Sequence, residues 1–593
     1  MMSLLLLFAL PGKIYAAEEF YSHAESPCTL SESWKFGEAL EPEFVQSFEV
    51  GLKNKLSPVQ SFSEAIAYRK MGGSDEARSF AEYWISKSLH RAGLTHIAQF
   101  GWTVIAAREV NPRTEGIQRA SLECLLVVRD KNPTIEIPQQ IFDRLKDYPP
   151  SPTRSRTAGV WARQIIASPS SNQNLEEVMK LITPNSEEFQ LVSGMSELAK
   201  KSYSQATIKL KAFLANKKLP EHLDRFKESA SILLSRAYYT TGKYQDAVHE
   251  LKKISRSSNE LAQSLTELAW AHLKAENYTD AVGTGISLQS AGMKRTFSPE
   301  GLMVMSMALN ELCQYPDAIK AISLYKKQYE KAFKWLEKNH NENLNWYQLA
   351  LEFLQKKSEI PPNVVTEWIR GPGFITRQEE INLLIKEKEF AAKLQKSGAA
   401  ELNDMGTQIL IHIQKIRPKV ISTLETLKAD ETLPEGLRRE LNSLREEINH
   451  YERLRKGAGP WKKILANHMK RAPRIQEKLV REINDQMADK TKRMFTILDE
   501  ITDNLQLIEV EIYSGASQDI VWQNAHPDYK GKAKQIDDQN QSKKTSTDWN
   551  WGKVEGGLSG QGEVWEDEVG SFKADVVNNC ASKEKYMQIR AQN

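Results

Sequence analysis

The chain has 593 residues, with 80 lysines and arginines against 77 aspartates and glutamates and a formal net charge of +3. That balance excludes a global field drawing the whole protein onto nucleic acid or acidic lipid. A content of 40% hydrophobic and 26% charged residues excludes wholesale disorder, and the length predicts several domains.

In chain order, the first residues read as an export address. The run LLLLFAL is followed by Ala16, Ala17 and the acidic pair Glu18-Glu19, small residues that suit cleavage after an apolar segment. A signal peptide is therefore expected at residues 1–17, although a positive start is missing, with a periplasmic or otherwise exported location. No later stretch approaches the ~20 apolar residues a transmembrane helix needs. Of four cysteines, Cys124 and Cys313 fall in apolar helical patterns and are expected as buried thiols. Cys28 and Cys580, in weakly patterned sequence near the two ends, are the pair expected to bond in an oxidising compartment.

Residues 18–150 form an N-terminal helical region. In it Gly72 and Ala77, then Gly93 and Ala98, repeat the spacing of a helical hairpin. Pro149, Pro150 and Pro152 punctuate its end. Residues 151–330 then carry one pattern several times over. Leu234, Ser235, Tyr238, Gly242, Tyr244, Ala247 and Leu251 have counterparts 34 residues later in Leu268, Ala269, Tyr278 and Ala281. After 37 more come Met305, Ser306, Tyr315, Ala318 and Ile322, and a fainter upstream copy keeps Gly194, Tyr203, Ala206 and Leu210. A small residue on each helix of a pair (Ser235 and Ala247, Ala269 and Ala281, Ser306 and Ala318) permits close approach, while large residues fill the seam.

This pattern resembles the tetratricopeptide repeat, a two-helix unit of about 34 residues whose copies stack into a solenoid. The resemblance implies an all-α α-solenoid that binds protein partners in a groove lined by the first helix of each hairpin. By register, that groove holds Arg236, Tyr239, Gln263, Trp270, Lys274, Met303, Met307 and Asn310. Tyr239 and Trp270 are the expected aromatic anchors, and Arg236 and Lys274 the expected carboxylate holders.

Residues 331–373 contain Trp335, Trp346, Phe353 and Trp368, expected as capping helices over the array's end. A carbohydrate platform is the sharper alternative. From 374 to 514 the period tightens toward 3.5, with Leu437, Leu441, Leu444, Ile448 and Tyr451 on one seam. Met494, Leu498, Ile501, Leu505, Ile508 and Ile512 form another. Turns are expected between Leu427 and Leu437 and at Gly457-Ala458-Gly459-Pro460, and a kink at Pro418. The product is an antiparallel coiled coil or helical bundle open to self-association. Arg453, Arg455, Lys456, Lys462, Lys463, Lys470, Arg471 and Arg474 tip residues 451–493 positive. That face is either solvated or touches anionic lipid, cell-wall glycan or an acidic partner.

Residues 515–562 read as a disordered linker. Residues 563–593 then form a short amphipathic helix and tail, with Trp565, Val569, Phe572, Val576 and Cys580 on one face and Trp565 and Phe572 as docking anchors.

No zinc-hydrolase, nucleophile-elbow or phosphate-loop motif is present in the sequence, so no catalytic, metal or cofactor residue is assigned. The expectation is a non-catalytic interaction scaffold or adaptor in a cell-envelope machine for secretion, motility or outer-membrane assembly. Protein partners are expected and nucleic acid is not. The alternative is a peptidoglycan-associated enzyme or a regulator of a cell-wall enzyme.

Overall fold

The computed structural model describes residues 57–71, 74–131, 137–167, 174–290, 293–426, 433–529, 574 and 576–592. Among them every regular element is a helix. The expected signal peptide 1–17, Cys28, and the anchors Trp565 and Phe572 lie outside the described residues.

The elements begin with α1 (Pro58–Met71), α2 (Asp75–Arg91), α3 (Thr95–Ala106), α4 (Glu115–Lys131), α5 (Gln139–Arg144), α6 (Pro152–Ala167) and α7 (Leu175–Met179). Then come α8 (Glu187–Ala199), α9 (Tyr203–Leu214), α10 (Glu221–Asp224), α11 (Lys227–Thr240), α12 (Tyr244–Leu251), α13 (Leu261–Lys274), α14 (Tyr278–Ser287) and α15 (Pro299–Glu311). The chain continues with α16 (Tyr315–Asn339), α17 (Trp346–Leu354), α18 (Pro362–Arg370), α19 (Pro372–Thr426), α20 (Glu435–Ala525) and α21 (Asn579–Gln592). They form two compact units built from non-contiguous stretches. One combines the chain up to Trp161, Glu176–Thr183 and Thr376–Val480; the other combines Ala162–Leu175, Pro184–Ile375 and the chain from Arg481.

In the second unit the helices of the array pack serially, α8 on α9, α11 on α12, α13 on α14 and α15 on α16, with neighbouring pairs stacked in turn. One turn recurs at each hairpin. Lys201, Gly242, Glu276 and Cys313 all sit at positive φ, between 53° and 75°. The next N–H reaches back to close a helix C-terminus: Lys243 to the Tyr238 carbonyl, Asn277 to His272, and Gln314 to Leu309, each at 2.9 Å. A tyrosine then opens the second helix in all four hairpins, as Tyr203, Tyr244, Tyr278 and Tyr315. The same turn closes α2 at Gly93 in the first unit, with φ 78°, where the Leu94 N–H bonds the Leu89 carbonyl. The helical-hairpin solenoid read from the sequence is therefore the fold, and the α2–α3 junction repeats its turn chemistry.

Beyond the array, Trp335, Trp346 and Trp368 meet edge-to-face at 5.7–6.3 Å, and the last two are 1% exposed. Trp346 and Trp368, buried this way, do not present a flat face to a sugar. The seam Met494, Leu498, Ile501, Leu505, Ile508 and Ile512 is wholly buried. Its partner is the array rather than the other long helix. Tyr325 on α16 hydrogen-bonds the Leu498 carbonyl and Thr502, and Phe333 stacks on Phe495. Each of the six seam side chains contributes about 1.5–3 kcal/mol on burial.

In the first unit the other seam pairs α19 with α20 in antiparallel fashion. Ile416, Leu437 and Leu444 form its buried centre, with Ile409, Ile413, Val420, Leu441 and Ile448 beside them. His412 meets Glu447 and Lys419 meets Glu440, both at 2.9 Å, so one register rises as the other falls. The seam expected to serve self-association is thus used within the chain.

Four expectations are corrected. The segment Gly457–Pro460 is no turn, because α20 runs unbroken through Pro460 and Pro473. Glycine at 457 has a different cause: a Cβ there would stand 2.4 Å from the Ser63 Cα of α1, so only glycine lets the helices cross. Residues 515–525, expected in the linker, are the last turns of α20. There Asp519 pairs with Lys583, and Trp522 packs edge-on to Tyr586, holding that end against α21. Cys580 bonds Cys313, not Cys28, with Cα atoms 5.3 Å apart, and Cys313 lies in a hairpin turn instead of a helix interior. Finally, the last helix begins at Asn579, so Val576 and Cys580 do not share a helical face. Ala574 and residues 576–579 instead strap onto the array, at the start of α14 and at the Leu312–Gln314 turn. The Ala574 N–H bonds the Thr279 carbonyl, Gln314 Nε2 donates to the Val577 carbonyl, and the Asn579 N–H to that of Leu312.

Candidate partner-binding surface

The first helices of the array, α11, α13 and α15, carry the expected groove residues. Arg236, Gln263 and Lys274 are exposed, and Tyr239, Trp270, Met307 and Asn310 half-buried. Met303 is 6% exposed and belongs to the interior. Two rungs bind consecutive first helices. Arg236 on α11 donates from Nη2 (2.7 Å) and Nε (3.2 Å) to Glu267 on α13, and Gln263 Nε2 adds a bond to the same carboxylate. Trp270 on α13 donates from Nε1 to Glu300 on α15 at 2.7 Å. The carboxylate held by Arg236 is thus one of the chain's own. Lys274 has no partner among the described residues and is the free cation of the row. Tyr239 is set edge-on to Tyr244 at 5.3 Å, which fixes its ring. Asn310 Oδ1 is buried without a hydrogen-bond partner.

Gln263 also lines a cleft of about 360 Å³ in the same unit. Asn259 and Glu260, just before α13, form one wall with it; Glu367, Trp368 and Arg370 of α18 form another, and Met487, Lys490 and Arg493 of α20 the third. The Lys490 ammonium donates to the Glu367 carbonyl at 2.7 Å. Burial lowers its pKa below the usual lysine value, and the neighbouring Arg370 and Arg493 push the same way against Glu367 and Glu260. Arg370 Nη2 donates to Glu367 Oε2 at 3.0 Å, while its Nη1 is buried with no partner. Trp368 is fixed by a bond from Nε1 to Thr491 Oγ1 at 2.9 Å. The lining carries both charge signs on rigid helices, so the cleft suits a polar, charged segment better than an apolar ligand. Arg370, Lys490 and Arg493 escaped the sequence reading because they lie on α18 and α20, over a hundred positions from Gln263, and no local pattern links them.

A second polar cluster lies in the first unit and is closed on itself. His96 Nδ1 is 3.1 Å from Glu387 and its Nε2 3.2 Å from Glu380; His468 Nε2 is 3.3 Å from Glu387. All four side chains are buried. Burial alone would lower the His96 pKa, but hydrogen bonds and charge from Glu380 and Glu387 raise it to about 9. Among the described residues no group of His, Cys, Asp and Glu is placed to hold a metal, and no helix is long and apolar enough to cross a membrane.

Comparison with known proteins finds no match, whether to a protein-family model, a curated protein or a solved structure.

Proposed function

We propose that the protein is a non-catalytic scaffold of tetratricopeptide type that captures a polypeptide segment on the first-helix face of its array. The observation that carries this reading is that Gln263 belongs to both the groove row and the 360 Å³ cleft. The free cation Lys274 and the half-buried Trp270 sit farther along the same helix, α13. The helices are locked to one another by the Arg236–Glu267 and Trp270–Glu300 bonds, so the surface is preorganised and a partner does not bear the cost of ordering it. The partner segment is polar and carries a carboxylate for Lys274 or for Arg370 and Arg493. The proposed setting is the cell envelope, resting on the apolar opening run and small residues at Ala16 and Ala17.

Trp270→Ala with Lys274→Glu tests the reading. Partner capture from envelope extract is expected to fall about tenfold or more, as loss of an interface anchor does, with helicity unchanged and the melting temperature lowered only modestly by loss of the Trp270–Glu300 bond. Undiminished capture, or capture lost only together with the fold, counts against it.

A further inference from the structure

Residues 453–476 contain no aspartate or glutamate. Within them, Arg455, Lys456, Lys462, Lys463, Lys470 and Arg474 are all exposed on α20. At 100° per residue they fall within about 120° of arc, along about 30 Å of helix. None of the six pairs with a carboxylate among the described residues. The opposite face of the same turns holds Leu454, Trp461, Leu465 and Ala472, all 1% exposed or less. This stretch of α20 is therefore half core and half unneutralised cation.

Beside the cationic row stands an apolar foot. The Arg471 guanidinium lies 5.6 Å from the ring centre of Phe100 on α3. Phe100 is 59% exposed and Val104, one turn on, 42%. A phenylalanine and a valine this exposed, next to a single-sign basic row, form a paired signature.

We infer that this face of the first unit binds the surface of an anionic phospholipid bilayer, the cations meeting headgroup phosphates and Phe100 with Val104 entering the interface. Charge complementarity sets the sign of the partner. The row lies on one side of one helix, so its cations can face one flat surface together, within a Debye length of about 8–10 Å. The apolar foot favours one polyanion: a nucleic-acid duplex presents chiefly phosphates along its outer surface, whereas a bilayer interface accepts both side chains. Among the described residues no helix is long and apolar enough to cross a membrane, and the inferred attachment is a peripheral one.

The test is co-sedimentation of the full chain with vesicles of phosphatidylcholine, alone or with about a third phosphatidylglycerol, at about 0.1 M salt. Binding is expected only to the anionic vesicles, lost at about 0.5 M salt. The triple variant Lys462→Glu, Lys463→Glu, Lys470→Glu should weaken it about tenfold or more, and the corresponding glutamine variant by less. Phe100→Ser with Val104→Ser should weaken it severalfold, each variant keeping wild-type helicity. Equal binding to neutral vesicles, undiminished binding by the glutamate variant, or tighter binding to duplex DNA that ignores the Phe100 and Val104 changes would overturn the inference.

Discussion

Among single residues, Glu387 offers the sharpest test of the first unit. It is fully buried, and although burial raises a carboxyl's pKa, hydrogen bonds from His468 and His96 hold it below its usual value. His96, raised from 6.5 to about 9, contributes stability that is complete below pH 6.5 and lost as pH rises through about 9. Glu387 contributes above its unfolded value of 4.5 and loses that contribution as pH falls through its lower folded value. Glu387→Gln should therefore cost about 3 kcal/mol near neutrality, read as a lower melting temperature. The gap from wild type should narrow above pH 9; a gap unchanged there would mean the pair is not ionised. A second pair of changes probes the shared hairpin turn. Gly242 has φ 75° and open space around its Cβ position, so Gly242→Ala should cost about 1 kcal/mol from backbone strain alone. Glu276 occupies the matching position at φ 60°, and Glu276→Gly should cost less than that or stabilise slightly. Chemical denaturation measures both. The register of Gly242 was legible in the sequence because glycine marks such turns. The equivalence of Lys201, Glu276 and Cys313 was not, because nothing in those residue types announces positive φ.

Among the elements, α20 shows where local signals mislead. Gly-Ala-Gly-Pro reads as a turn, yet the helix continues because Trp461 packs on Phe62 at 5.0 Å and Leu454 and Leu465 are buried on the same side. Tertiary burial overrides local propensity there. Gly457→Ala should cost about 1–3 kcal/mol through its collision with Ser63, whereas Gly459→Ala, with nothing nearby, should stabilise by up to about 1 kcal/mol. Had the segment been a turn, the two substitutions would not separate in sign; melting curves of both decide. The heptad seams were equally legible, because an apolar 3.5 period needs only sequence. Their partners were not: one seam packs on α19 and the other on α16, and periodicity names a face without naming what covers it. The C-terminal strap follows the same logic. Ala574, Val577 and Asn579 are tied by hydrogen bonds through their backbones, and Cys580 by its bond to Cys313. Cys580→Ser should raise amide exchange across 574–592 and lower stability by up to about 2–4 kcal/mol. Exchange unchanged from wild type would show that the strap holds without its bond.

For the whole molecule, the array reads as a rigid presenting surface whose neighbouring first helices are joined by side-chain bonds, and no constellation for chemistry was assigned from the sequence. The candidate surface was half legible. Register placed Gln263, Trp270 and Lys274 on one helix face, and put Met303 there too, although Met303 is buried. The cleft walls from α18 and α20 arise from long-range packing that no spacing records. The most direct measurement of the account is site-specific photo-crosslinking in intact cells, with the photoreactive residue at Lys274 or Met307 on the first helices and at Gln245, an exposed position of α12, as the control. Discrete partner adducts at 274 and 307, absent at 245, are the predicted result. Adducts at 245 with none at 274 and 307 would contradict the assignment of the first-helix face as the partner-binding surface.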